Sequence, residues 1–155
     1  MPFCIRGGTA LAEGRGERLT PLTALPPCWF LICKPEFDLP TPALFGRVRV
    51  EELQGRPNLT AMEAALQAGD LQGVAQTLGN VFESVLTEEE AQEIQGIQET
   101  MRRFGALNAA MTGSGPTVFG IFTDEAALSA AEMALKTQYQ QVFRAKPEKS
   151  FASGE

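Results

Sequence analysis

Histidine is missing from this 155-residue chain, and its absence excludes a good deal of chemistry. Without an imidazole there is no Ser-His or Cys-His nucleophile pair and no histidine-bearing zinc site. Acid–base work would fall to a carboxylate, lysine, tyrosine or cysteine. Cysteine is scarce too. Cys4, Cys28 and Cys33 are odd in number and form no CxxC pair, so they read as reduced, mostly buried thiols of a cytoplasmic protein, and no metal site is expected. No apolar run approaches the roughly 18 residues that span a bilayer. The start, Met1-Pro2-Phe3-Cys4-Ile5-Arg6, lacks the layout of a secretory signal, which makes the glycosylation-like Asn58-Leu59-Thr60 a chance match. Positive charge is in deficit, with 13 basic against 19 acidic residues and a net charge of −6. With no basic cluster and no basic-aromatic interleaving, neither nucleic acid nor a membrane is an expected partner. A small anionic substrate remains possible, since a local pocket can oppose the global charge.

What is present begins with Met111 to Phe122, where Thr112-Gly113-Ser114-Gly115 sits between two apolar segments that read as strands. Glycine admits positive φ and leaves no Cβ to keep a ligand away. Consecutive peptide N–H groups can then converge into an anion-binding concavity. Pro116 has no N–H, which leaves the amides of residues 113 to 115 and the hydroxyls of Thr112 and Ser114 as donors. A hairpin turn that simply requires glycine explains the segment equally well.

The hydrophobic fraction of 44% and charged fraction of 21% suit one globular domain with a substantial core. Residues 9–12 and 17–20 flank Glu13-Gly14-Arg15-Gly16 as a hairpin, which needs a sheet to join. Cys28 to Cys33 is a continuous apolar strand. Thr41-Pro42 reads as an N-cap with proline at the first helical position, opening a helix with Leu44, Phe45 and Val48. Thr60 with Glu63 makes a capping-box pattern, and Gly69-Asp70 breaks that helix. Leu71, Val74, Ala75 and Leu78 then repeat at helical spacing through Phe82 and Val85. Thr87 with Glu90 is a second capping box, for a helix that Gly105 stops. Strands at 106–111 and 117–122, a helix capped by Thr123-Asp124, and a strand at 141–145 complete the order. From Trp29 onward this predicts an α+β fold, a ferredoxin-like split βαβ sheet with helices on one face. Such a fold says nothing about chemistry by itself.

Three segments carry a family resemblance: Pro2 to Glu17, Lys34-Pro35 through Pro40-Thr41-Pro42-Ala43-Leu44-Phe45, and Met111-Thr112-Gly113-Ser114-Gly115. In this order and spacing they resemble the GHMP small-molecule kinases, and more narrowly those that phosphorylate a methylerythritol linked to cytidine diphosphate. The likeness covers nearly the whole chain but only the C-terminal half of such an enzyme. It implies that residues 1–26 are a hairpin left over from the kinase N-terminal domain, 27–147 the C-terminal domain, and 148–155 a disordered tail. By resemblance, Thr41, Pro42 and Phe45 line the substrate pocket, with Phe45 stacked on cytosine. Thr112, Gly113, Ser114 and Gly115 match the motif that closes the phosphate site. Arg6, Gly7 and Gly8 read as structural. The family's catalytic aspartate would stand immediately before Met1, and its glycine-rich phosphate loop lies in the half not matched. The resemblance therefore implies ATP and Mg²⁺ as cofactors of the whole enzyme, a missing N-terminal half as partner, and an inactive fragment.

Other readings of the same residues stay open. Phe45 would equally serve as a core residue of a capped helix. Glu13, Glu36 and Asp38, the carboxylates nearest the motifs, read as solvated turn and loop residues. The whole could be a non-catalytic ligand-sensing or dimerising module, or an orphaned folding unit with open strand edges.

Overall fold

The computed structural model describes residues 7–53 and 56–148. The segment 2–6, Arg6 included, and the tail from 149 onward lie outside the described residues. The strands are β1 (Ala10–Glu13), β2 (Arg18–Pro21), β3 (Trp29–Lys34), β4 (Asn108–Met111), β5 (Val118–Phe122) and β6 (Gln141–Ala145). The α-helices are α1 (Thr41–Arg47), α2 (Leu59–Ala68), α3 (Leu71–Gln76), α4 (Glu88–Arg103) and α5 (Glu125–Lys136), with short 3₁₀ segments at Val50–Glu52 and Val81–Val85.

β3 to β6 form a four-stranded sheet in the order β4-β5-β3-β6, antiparallel throughout, which is the split βαβ arrangement. Alternation along the strands divides its faces. Leu31, Cys33, Val118 and Phe122 point into the main core, where they meet Ile94, Ile97 and Met101 of α4 and Leu128, Ala131 and Leu135 of α5. Phe30, Phe119 and Ile121 point to the other face, where α3 and the turn after it bring Leu71, Ala75 and Leu78 against them. The two long helices thus share one face, and the short pair covers part of the opposite one.

The N-terminal hairpin pairs only with itself among the described residues, in the register Ala10↔Pro21 to Glu13↔Arg18. It finds its support in packing rather than in strand pairing. Leu11, Leu22 and Leu25 roof an apolar recess of about 260 Å³ whose floor includes Phe30, Phe119 and Ile121.

Local chemistry decides where the elements start. The Thr87–Glu90 capping box is fully formed, with both reciprocal hydrogen bonds present. Asp124 accepts from the Ala127 N–H and caps α5. Three sequence readings shift. α2 is capped by Asn58, which accepts from the Ala61 N–H, so Thr60 lies inside the helix and makes no box. α1 starts one residue early, with Pro40 as its N-cap and no side-chain cap, which frees the Thr41 hydroxyl. The periodic run from Leu71 does not stay helical through Val85. α3 ends at Gln76, and Asn80 restarts the chain as a 3₁₀ segment by accepting from the Phe82 N–H.

Candidate functional site

The Thr112–Gly115 turn closes β4 onto β5. The Thr112 N–H donates to Thr117 O (2.8 Å), and the Gly115 N–H donates to Thr112 O (2.9 Å). Gly113 and Gly115 both take positive φ, 57° and 73°. A Cβ on Gly115 would run into the Met111 sulfur and Leu39 Cδ1, whereas one on Gly113 would meet open space. Because Gly115 spends its N–H inside the turn, the outward backbone donors reduce from three to the amides of Gly113 and Ser114. The turn carries no charged side chain. It therefore offers neutral hydrogen-bond donors to an anion rather than a salt bridge.

Helix α1 comes to this turn from far away in sequence. The uncapped Thr41 hydroxyl lies 2.8 Å from the Ser114 hydroxyl, a pairing across 73 residues. Leu44 anchors α1 in the main core at 1% exposure, while Phe45 stands outward at 60%. The reading of Phe45 as a core residue is therefore incorrect: its neighbour Leu44 fills that role. Phe45 instead rests edge-on against Phe82, with ring centroids 5.0 Å apart and planes at 80°. The rest of the ring is open to solvent. Pro42 is exposed beside it. Four residues on a helix rise about 6 Å, so Thr41 and Phe45 stand one above the other on the same side.

At its far end α1 is tied to α4. Arg47 grips Glu90 through both guanidinium nitrogens, at 2.7 and 3.3 Å. The hydrogen bond from Arg47, followed by the backbone and hydroxyl bonds at Thr87, holds the Glu90 carboxyl below its ordinary range.

The structure adds a bracket that the sequence reading did not single out. Asn80 donates from Nδ2 to Met111 O and to Gly113 O, both at 2.8 Å. Glu83 Oε1 accepts from the Met111 N–H at 2.8 Å and from Gln98 Nε2 at 3.1 Å. β4 is an edge strand, and these two side chains satisfy both main-chain polar groups of Met111 in place of a neighbouring strand. The signal in sequence is slight, because the helical spacing of Leu78, Phe82 and Val85 runs straight across Asn80.

The remaining carboxylates stay on the surface. Asp38 pairs with Lys34 at 3.0 Å, Glu36 accepts from the Gln140 N–H at 3.4 Å, and Glu13 ends an exposed strand. None of them reaches the turn through a hydrogen bond. Gly7 and Gly8 both take positive φ, 65° and 77°.

A family model described as GHMP kinases C terminal matches residues 62–141. The chain belongs to the GHMP kinase family. A 4-diphosphocytidyl-2-C-methyl-D-erythritol kinase from Listeria welshimeri is 38% identical over 147 residues, covering 95% of this chain and 50% of the relative. A solved 4-(cytidine 5'-diphospho)-2C-methyl-D-erythritol kinase superposes with a TM-score of 0.70 at 28% identity, covering 88% of this chain and 48% of its own. A homoserine kinase from Cytophaga hutchinsonii superposes at 0.73 with 16% identity over 96% of this chain and 50% of its own, which speaks for the fold alone. The chain spans about half the length of the curated relatives it matches. That is consistent with a C-terminal part of such kinases and with the ferredoxin-like fold.

Proposed function

We propose that the chain is the C-terminal part of an ATP-dependent kinase for the 2-hydroxyl of 4-diphosphocytidyl-2-C-methyl-D-erythritol, in non-mevalonate isoprenoid synthesis in the cytoplasm. One observation carries the reading. The Thr41–Ser114 hydroxyl contact joins the α1 segment and the glycine turn into one surface, with the Phe45 ring standing out beside them. An aromatic face offers a base about 1–3 kcal/mol of stacking. Two outward amides and the Thr112 and Ser114 hydroxyls can meet phosphate oxygens at the other end of that surface. The substrate in the relatives' name is a cytidine diphosphate derivative, which carries a base and phosphates to match those two groups.

Phosphoryl transfer also requires charge neutralisation and a group that takes the hydroxyl proton. This chain's residues do not fit those roles. Glu83, beside the turn at Met111, is engaged there and with Gln98, and Glu90 is engaged with Arg47. Among the described residues no cluster of three or more acidic or cysteine side chains that could hold a metal ion is present. ATP fits the turn only through neutral donors. We therefore assign this part binding of the base and closure of the phosphate site. The proton chemistry belongs to an N-terminal half, and the chain alone turns nothing over.

Isothermal titration with cytidine, uridine and adenosine diphosphates tests the reading. Selective binding of the cytidine nucleotide supports it. Equal, weak binding of all three would replace it with an anion-sensing or dimerising module. Ordinary turnover with ATP and the cytidyl substrate would overturn the claim of inactivity.

A further inference from the structure

The geometry points to Asn80 as a positioning residue that sets the glycine turn and the Phe45 ring in one fixed relation. The inference rests on the reading above and adds the part that makes its two ends act together.

The Asn80 side chain makes three hydrogen bonds, two to the turn and one to the segment that follows Asn80. Its amide N–H groups hold Met111 O and Gly113 O, the carbonyls on either side of Thr112. Its carbonyl oxygen accepts from the Phe82 N–H at 3.0 Å. Phe82 in turn supports the Phe45 ring edge-on. A single planar side chain thereby links the turn that presents the Gly113 and Ser114 amides to the aromatic pair that presents a face to a base. The Thr112 N–H, opposite the Met111 carbonyl, closes the hairpin onto Thr117 O, and drawing the Gly113 carbonyl toward Asn80 leaves the Ser114 N–H on the far edge of the same peptide. Peptide planarity enforces that result. Glu83 holds the Met111 N–H in the preceding peptide, so the end of β4 is tied on both sides of the Met111 Cα.

The consequence is a specific division of labour in binding. Cytidine alone needs only Phe45 and Phe82. Cytidine diphosphate needs the turn as well, at the correct distance from the ring. Removing the Asn80 amide should leave the first contact and spoil the second.

The test compares wild-type chain with Asn80→Ala and Asn80→Asp, the latter keeping the acceptor for Phe82 while deleting both donors. Titrations use cytidine and cytidine diphosphate, followed by amide resonances in two-dimensional NMR. The expected result is a loss of about tenfold in diphosphate affinity, the order set by one misplaced hydrogen-bonding group, with cytidine affinity little changed. Without ligand, the Gly113, Ser114 and Gly115 amides should shift together with the Phe45 ring protons. Equal loss for both ligands would show a merely structural role and overturn the proposal. So would shifts confined to residues 80–83. If wild-type chain binds no cytidine nucleotide, the functional reading falls, while the ligand-free shifts still decide what Asn80 positions. Should both variants fail to fold, Phe82→Leu in the folded chain takes their place. It must move the Gly113 and Ser114 resonances if the link runs as described, and their constancy would overturn it.

Discussion

Arg47, the last residue of α1, forms a two-pronged hydrogen-bonded pair with Glu90, the third residue of α4. The pair fixes the far end of the helix that carries Thr41 and Phe45. It also predicts an acid response. The hydrogen bond from Arg47 is the largest cause depressing the Glu90 carboxyl below its ordinary value of 4.5, with burial acting in the opposite direction. A depressed carboxyl contributes stability above its unfolded value and loses it as pH falls through the folded one. The melting temperature should therefore fall below pH 4.5 in the wild type, and less steeply in Glu90→Gln. Parallel acid limbs in the two proteins would show that the pair carries none of this dependence. Arg47 is exposed and Glu90 only partly buried, so the effect should shrink in high salt.

The two glycines of the turn should respond unequally to alanine. Gly113→Ala places a Cβ in open space at a φ of 57°, and the strain of the left-handed region costs about 1–2 kcal/mol. Gly115→Ala adds a collision with Met111 and Leu39, both buried core residues with little room to yield. Overpacking of that kind costs a further ~1–3 kcal/mol. Urea denaturation of both variants checks the order, which fails if Gly113→Ala proves the more damaging.

Phe45 and Leu44 offer a sharper contrast because they are neighbours on one helix. Leu44→Ala empties a site that is 1% exposed and should cost about 2–5 kcal/mol. Phe45→Ala removes a ring at 60% exposure whose described ring contact is Phe82, and should cost about 1 kcal/mol. Binding should invert the ranking. Loss of the stacking face removes about 1–3 kcal/mol of cytidine affinity, while a folded Leu44→Val variant should bind nearly as the wild type. Thermal melts paired with nucleotide titration read both quantities, and a large stability loss in Phe45→Ala would return that residue to the core.

Much of this arrangement was legible where a local rule and the tertiary structure agree. The Thr87–Glu90 box works within four residues, and the apolar spacing of Ile94, Ile97 and Met101 matches the face that α4 buries. The Thr41–Pro42 start misled by one position. A threonine before proline reads as a cap, yet its hydroxyl turns to Ser114 instead, a partner that only the fold supplies. Asn58 displaced the Thr60–Glu63 pattern because an asparagine two residues earlier caps at least as well. Asn80 was beyond reach for a different reason. The carbonyls it binds lie 31 and 33 residues away and belong to main chain, which no side-chain pattern announces. Helical periodicity through Phe82 hid it further, since a 3₁₀ segment can place apolar residues at much the same spacing.

Cys33 supplies the last prediction, at the alkaline end. Its thiol is buried in the main core, and burial, reinforced by the nearby Glu93 and Glu36 carboxylates, pushes it from 9.0 to about 12. Tyr139 is raised too, first by burial and then by its 2.7 Å hydrogen bond to Glu93. A raised value means that the folded state holds its proton longer than the unfolded chain does. The stabilisation is full below pH 9 and drains away as pH climbs toward 12. Thermal melts across that window should show a shallower decline in Cys33→Ala than in the wild type, whatever the offset from the small cavity created. The same burial keeps the thiolate population negligible at pH 8, so a disulfide reagent should label Cys33 only after guanidinium is added. Prompt labelling in the native protein would mean that the sheet opens at β3 far more often than its central place between β5 and β6 allows.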